Sequence, residues 1–114
     1  MRMLVTSIWS LASMRDRGAY SATKFALDGL SLALAEEVAA DNVLVNCASP
    51  GFIDTEMLHG VLDDEQIREF ADQVPMRRLG RPEEIAAFVA WLAGPENTFM
   101  TGQNVAIDGG YTRT

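Results

Sequence analysis

Apolar and polar positions along the chain divide it into short apolar runs that alternate with longer stretches of helical period. Met3 to Thr6 is a short, mostly apolar run and predicts a buried strand. Ser7 to Ala19 is rich in Ser, Arg, Asp and Gly and predicts a loop. Tyr20 to Ala40 has no proline and a dense set of helix formers. Within it Ala22, Phe25, Ala26, Leu30, Ala33, Leu34 and Val38 recur at helical spacing, while Leu27 and Leu32 add apolar surface elsewhere. A helix that is apolar on more than one side is covered on more than one side, so one face is expected on a sheet and another on a partner helix. Asp41 and Asn42 end it.

Val43 to Ala48 predicts a second buried strand, stopped by Ser49-Pro50-Gly51. Phe52 to Gly60 reads as irregular. Asp63 is placed to cap a helix running to about Val74, with Asp64 and Glu65 in its first turn, where the helix dipole favours negative charge. Pro75 halts it. Pro82 suits the first position of a helix over Glu83 to Leu92, with Gly94 as its stop. Asn104 to Ile107 predicts a third strand, followed by Asp108-Gly109-Gly110.

The order is strand, helix, strand, an irregular segment with a helix, helix, strand. Such alternation predicts an α/β layer with parallel strands and right-handed crossovers. About three parallel strands with flanking helices make a small sheet. An unpaired first edge would invite pairing, so the chain is expected to be part of a larger sheet.

Composition adds bounds. The chain has 114 residues, 48% hydrophobic and 22% charged, which suits one globular domain with a real core. Its formal net charge of −7 disfavours nucleic acid and anionic lipid as partners. No apolar run is long enough to span a bilayer and no signal-peptide pattern is evident, so the expected location is cytoplasmic. The single cysteine, Cys47, has no internal partner and reads as a packed thiol in a strand. His59 reads as a solvated residue, and no set of His, Cys or carboxylates has metal-ligand spacing.

The run Tyr20-Ser21-Ala22-Thr23-Lys24 carries the chemistry. Four residues apart on a helix, a phenol and an ammonium share one face. A fixed cation beside a phenol favours the phenolate, so the hydroxyl exchanges its proton more readily. Such a group can protonate an oxygen as hydride reaches carbon, or take a proton from an alcohol. The same pair is also common on ordinary exposed helices. Ser7 adds weight because it ends a strand, where open α/β sheets place their ligand crevices.

Ser7, Tyr20 and Lys24 resemble the Ser-x12-Tyr-x3-Lys signature of the short-chain dehydrogenase/reductases. LVTS is similar to the strand before that serine, and AYSATKFALDGLSLALAEEVA to the helix after it. NVLVNCASPGFIDTEM is similar to the next strand with its Pro-Gly turn, and LGRPEEIAAFVAWLAGPENTFMTGQNVAIDGGYT to the last helix and strand. The resemblance runs through nearly the whole chain in order, closest to 3-oxoacyl-acyl-carrier-protein-reductase-like members.

The resemblance implies the C-terminal part of a Rossmann-like, doubly wound parallel sheet and a nicotinamide cofactor, NAD or NADP. By resemblance Tyr20 is the general acid or base. Lys24 assists it and bonds the nicotinamide ribose. Ser7 orients the substrate oxygen, and Pro50, Gly51, Ile53 and Thr55 lie against the cofactor. The substrate would be a small-molecule ketone or secondary alcohol, and the protein a homo-oligomer. Met57, Leu58, Val61, Leu62, Ile67 and Phe70 would line a substrate lid or pack as core, with Trp9, Leu11 and Met14 nearby.

Residues 1–114 show none of the Gly-rich turn, the NAD/NADP-selecting residue or the supporting asparagine that the family carries upstream. The expectation is therefore a single partial domain without its dinucleotide-binding half. It would be a fragment of a reductase, a short protein completed by another chain, or an inactive remnant serving oligomerisation or binding.

Overall fold

A computed structural model describes residues 2–113, with side chains from Thr6 to Arg113. Three strands, β1 (Arg2–Val5), β2 (Val45–Pro50) and β3 (Asn104–Ile107), form a sheet in the order β1-β2-β3. Both pairings are parallel, with Val5 opposite Ala48 and Pro50 opposite Ile107. Four helices connect them: α1 (Gly18–Val38), α2 (Glu56–Val61), α3 (Asp64–Gln73) and α4 (Pro82–Ala93). The expected α/β layer of parallel strands and flanking helices is present.

The central strand explains the coverage. Cys47 and Ala48 point to opposite faces of β2, and both are fully buried. Helix α1 lies against β2, and α4 touches β1 and β2. Close approach of α1 depends on small residues: Ser21, Ser31 and Ala35 are its buried positions. The Cys47 thiol donates to Ser31 Oγ at 3.1 Å, and burial pushes its pKa up, so it is a packed neutral thiol.

The stripe of Ala22, Phe25, Ala26, Leu30 and Ala33 is exposed, while Leu27, Leu34 and Val38 are half-buried on the side of Ser31 and Ala35. One face of α1 lies on the sheet, as expected, and the opposite face is left open.

Two boundaries also move. Strand β2 spans residues 45–50 instead of 43–48. At its start, Asn42 adopts the left-handed conformation (φ 59°) and Val43 N–H bonds back to Val38 C=O at 3.3 Å, so Val43 belongs to the end of the helix. At its end, Pro50 does not stop the strand. Cys47 and Gly51 donate towards β3, to Gln103 and Ile107, so Pro50 faces β1, which has already ended. The missing N–H removes no ladder bond.

The segment expected to be irregular contains α2. Thr55 caps it, its hydroxyl accepting from Leu58 N at 3.2 Å, and Glu56 sits in the first turn. Helix α3 has the expected Asp63 cap, completed by Gln66 into a reciprocal capping box. Helix α4 opens with Pro82 as expected and ends at Gly94, where a side chain would meet Ala90 C=O at 2.7 Å. No described helix is long and apolar enough to cross a membrane.

The strand tips are joined by a buried polar network. Asn104 Nδ2 donates to Ser10 Oγ at 2.9 Å, and Asn104 Oδ1 accepts from Ser49 Oγ at 2.5 Å. Ser10 Oγ in turn donates to Ser7 C=O at 2.8 Å. With those hydrogens committed, the 2.6 Å contact between Thr6 and Ser49 takes the Thr6 hydrogen. Thr6, Ser10 and Ser49 are each buried, and no buried polar side-chain atom lacks a partner among the described residues. Replacing Asn104 with Leu should strand the Ser10 and Ser49 hydroxyls and destabilise the fold by about 1–3 kcal/mol. The urea unfolding midpoint measures this, and an unchanged midpoint would refute the network's role.

Candidate active site

The site is built where β1 ends. Ser7 follows Thr6 in extended conformation and caps a single 3-10 turn, Ile8–Ser10. Its hydroxyl oxygen accepts from Trp9 N at 3.3 Å, and its carbonyl accepts from Ser10 N at 2.8 Å and from Ser10 Oγ. The main chain at Ser7 is thus held from both sides. Because the Trp9 amide uses the acceptor side of the Ser7 hydroxyl, its hydrogen is left to donate outward.

The 8–10 turn packs against α1. The loop between them is tied down by Ser13 Oγ and the buried Ser21 Oγ, 2.7 Å apart, and Ser21 N donates to Arg17 C=O at 2.7 Å. Tyr20 therefore lies in the first turn of a fixed helix, with its side chain 46% exposed. Lys24, one turn on, sets its Nζ 5.3 Å from the centroid of the Tyr20 ring. The structure brings phenol and ammonium together as the spacing predicts. Ser7 and Tyr20 share no hydrogen bond among the described residues; the packed turn is what links them.

After β2 the chain runs through Pro50, Gly51, Ile53 and Thr55. A side chain at Gly51 would meet Asp108 Cβ at 2.7 Å and Cα at 2.9 Å. Glycine is needed there for the approach of the turn after β3. Ile53 forms an isolated bridge with Gly80: Gly80 N donates to Phe52 C=O at 2.9 Å, and Asp54 N donates to Gly80 C=O at 2.8 Å. Alternation along an extended chain turns the Ile53 N–H and C=O the other way, where neither has a partner among the described residues. One free donor and one free acceptor side by side match a primary carboxamide. The Thr55 oxygen accepts from Leu58, which leaves its hydrogen to donate. These groups fit a nicotinamide ring better than Gly51 alone does.

Asp108 anchors the turn against Gly51. Burial alone would raise its pKa, but hydrogen bonds from the Thr112 hydroxyl, Thr112 N and Gly110 N outweigh it and hold the carboxyl below its ordinary value. His59 is exposed, as expected, and pairs with Asp54, a contact of modest strength that ties α2 to the segment at Ile53.

A cavity of about 330 Å³ opens beside this loop, lined by Trp9, Met14, Arg17, Phe52, Thr55, Met57, Leu58, Val61, Leu62 and Phe70. Most of the expected lid residues line it; Ile67 and Leu11 do not. Its floor is aromatic, with Phe52 and Phe70 rings 4.9 Å apart and Trp9 edge-on to Phe52 at 6.3 Å. Tyr111 closes the cluster, edge-on to both Trp9 and Phe52. Sequence reasoning missed Arg17, Ser10, Asn104 and Tyr111. Each acts through a contact that no local pattern signals. Among the described residues no group of three or more His, Cys, Asp or Glu is placed to hold a metal ion.

Residues 2–112 match the family model described as enoyl-(acyl carrier protein) reductase. The chain is 42% identical over 106 residues to the 3-oxoacyl-[acyl-carrier-protein] reductase FabG of Chlamydia muridarum, covering 93% of this chain and 42% of that protein. It is 44% identical over 91 residues to the acetoacetyl-CoA reductase of Allochromatium vinosum, covering 80% of this chain and 37% of that protein. The chain thus spans less than half the length of these relatives. Among solved structures, ElxO with NADP bound superposes with a TM-score of 0.91 at 32% identity, covering 98% of this chain and 46% of the other. YwfH, an NADPH dependent reductase involved in bacilysin biosynthesis, superposes with a TM-score of 0.88 at 29% identity, with the same shares covered. From the strand-end serine to the Asp-Gly-Gly turn after β3, sequence and structure agree on one assignment: the chain belongs to the short-chain dehydrogenase/reductase family and has its Rossmann-type α/β architecture.

Proposed function

We propose that this chain supplies the proton-transfer and substrate-binding part of an NAD- or NADP-dependent oxidoreductase that interconverts a ketone and a secondary alcohol. The observation that carries the reading is Lys24 Nζ beside the ring of Tyr20, on the first turn of a helix packed against the serine-bearing turn.

When bound, the nicotinamide supplies or accepts the hydride. The residues of the chain handle the proton and the substrate oxygen. Tyr20 donates its hydroxyl proton to the carbonyl oxygen in reduction and recovers it from the alcohol in oxidation. Lys24 holds a positive charge beside the Tyr20 ring, and would hydrogen-bond the ribose of a bound nicotinamide cofactor. The outward hydrogen of Ser7 donates to the same substrate oxygen and stabilises the negative charge that grows on it. Ile53 N–H and C=O would hold the carboxamide, and the Thr55 hydroxyl would donate from the adjoining turn. Pro50 and Gly51 set the path that brings Ile53 to this place.

The open face of α1 supports a further part of the proposal, that the protein self-associates or pairs with a chain that completes the sheet. Phe25 and Leu30 are 46% and 53% exposed. An apolar flank of that kind is covered in an assembly. The same face favours the second reading, a non-catalytic module that binds through α1.

Three measurements test the proposal. Titration with NADH and NADPH, followed by nicotinamide fluorescence, should give a saturable signal with at least one; none with either would leave the non-catalytic module. Tyr20→Phe should lower turnover by about 10²–10⁴-fold with folding unchanged, the usual worth of a positioned acid or base. Retained turnover would refute the role of Tyr20. Solution mass should exceed that of one chain, and a monomer at all concentrations would refute association.

A further inference from the structure

The cavity beside the lid holds a feature that proton transfer at Tyr20 does not use. Its walls are apolar, with Trp9, Met14, Phe52, Met57, Val61 and Phe70 among them. Only two lining residues carry side-chain polar groups apart from the Trp9 indole: Thr55, whose oxygen is already used by Leu58, and Arg17. Arg17 is the only charged lining residue, and it forms no ion pair among the described residues. The acidic residues at the start of α3, Asp63, Asp64 and Glu65, are not in the lining. Met57 and Val61 border the cavity yet are 78% and 76% exposed, so apolar surface there is open to a ligand. At about 330 Å³ the space lies at the lower end of small-molecule sites, which run on the order of 300–1,000 Å³.

These observations select among ligands. A cation would meet Arg17 at the cavity wall and be repelled. A neutral apolar molecule would use the walls and leave the guanidinium unmatched. An amphipathic anion uses both, and a planar guanidinium is well matched to a carboxylate or another oxyanion. Arg17 also stands three residues before Tyr20, at the start of the same helix. We propose that this cavity takes the apolar part of an oxo compound bearing a carboxylate or comparable oxyanion, with Arg17 as the counter-charge. The oxo group rests on the oxidoreductase reading; the anion site rests on the cavity alone.

The test is direct binding to the full chain in a Trp91→Phe background, which leaves Trp9 as the single tryptophan of the two. Octanoate, octanol and octylamine are titrated against Trp9 fluorescence. Octanoate should bind about tenfold more tightly than octanol, the worth of one charge-assisted contact, and octylamine more weakly than either. Arg17→Gln should bring octanoate to the level of octanol, Arg17→Lys should keep most of the preference, and added salt should weaken octanoate alone. Equal binding of octanoate and octanol overturns the proposal, as does a lack of saturable response or a preference that survives Arg17→Gln. Tyr20→Phe should leave octanoate binding unchanged. Octanoate binding without any nicotinamide binding would sink the catalytic reading and keep the anion site. Nicotinamide binding without octanoate preference would do the reverse.

Discussion

The partly buried contact between Asn104 and Ser10 is the constraint on which the rest depends. It links the first residue of the last strand to the turn that follows the first, across the tip of the central strand. An amide with one donor and one acceptor in use gives the surrounding hydroxyls a single consistent direction. That direction ends at the carbonyl of Ser7, and so fixes the residue whose own hydroxyl points outward. Without such a network the strand tips would hold polar groups in a dry place with nothing to bond, which costs more than an apolar core of the same shape.

A second constraint is distance of approach. Helix α1 presents serine and alanine to β2, and the turn after β3 presses on Gly51 so closely that no side chain fits. Together these pack the helix with Tyr20 and Lys24 against the turn with Ser7, and set the strand with Ile53 beside the turn after β3. The chemistry of the site is thus a product of small residues in places where large ones would push the elements apart.

Much of this was legible in the residues. The third strand, the Asp63 cap and the Pro82 start came from local rules that tertiary contacts did not overrule. The Tyr20–Lys24 pairing followed from helical spacing alone. Most of the lost parts depend on partners far away in the chain. Pro50 reads as a stop until the neighbouring strand is seen to end first. Helix α2 hid behind Gly60 and a short length, although Thr55 followed by Glu56 is a cap signal that a closer reading would weigh. Arg17 looked like one charge in a polar loop, because only the fold places it at an apolar wall.

The partners Asn104 and Ser10 stand 94 positions apart. On a ribosome the first strand and its serine emerge long before the amide that organises them has been translated. The turn at Ser7 must wait in an unsettled state until the third strand has been made and docks. A chain interrupted between the first helix and that strand would keep its tyrosine and lysine while lacking the means to aim its serine.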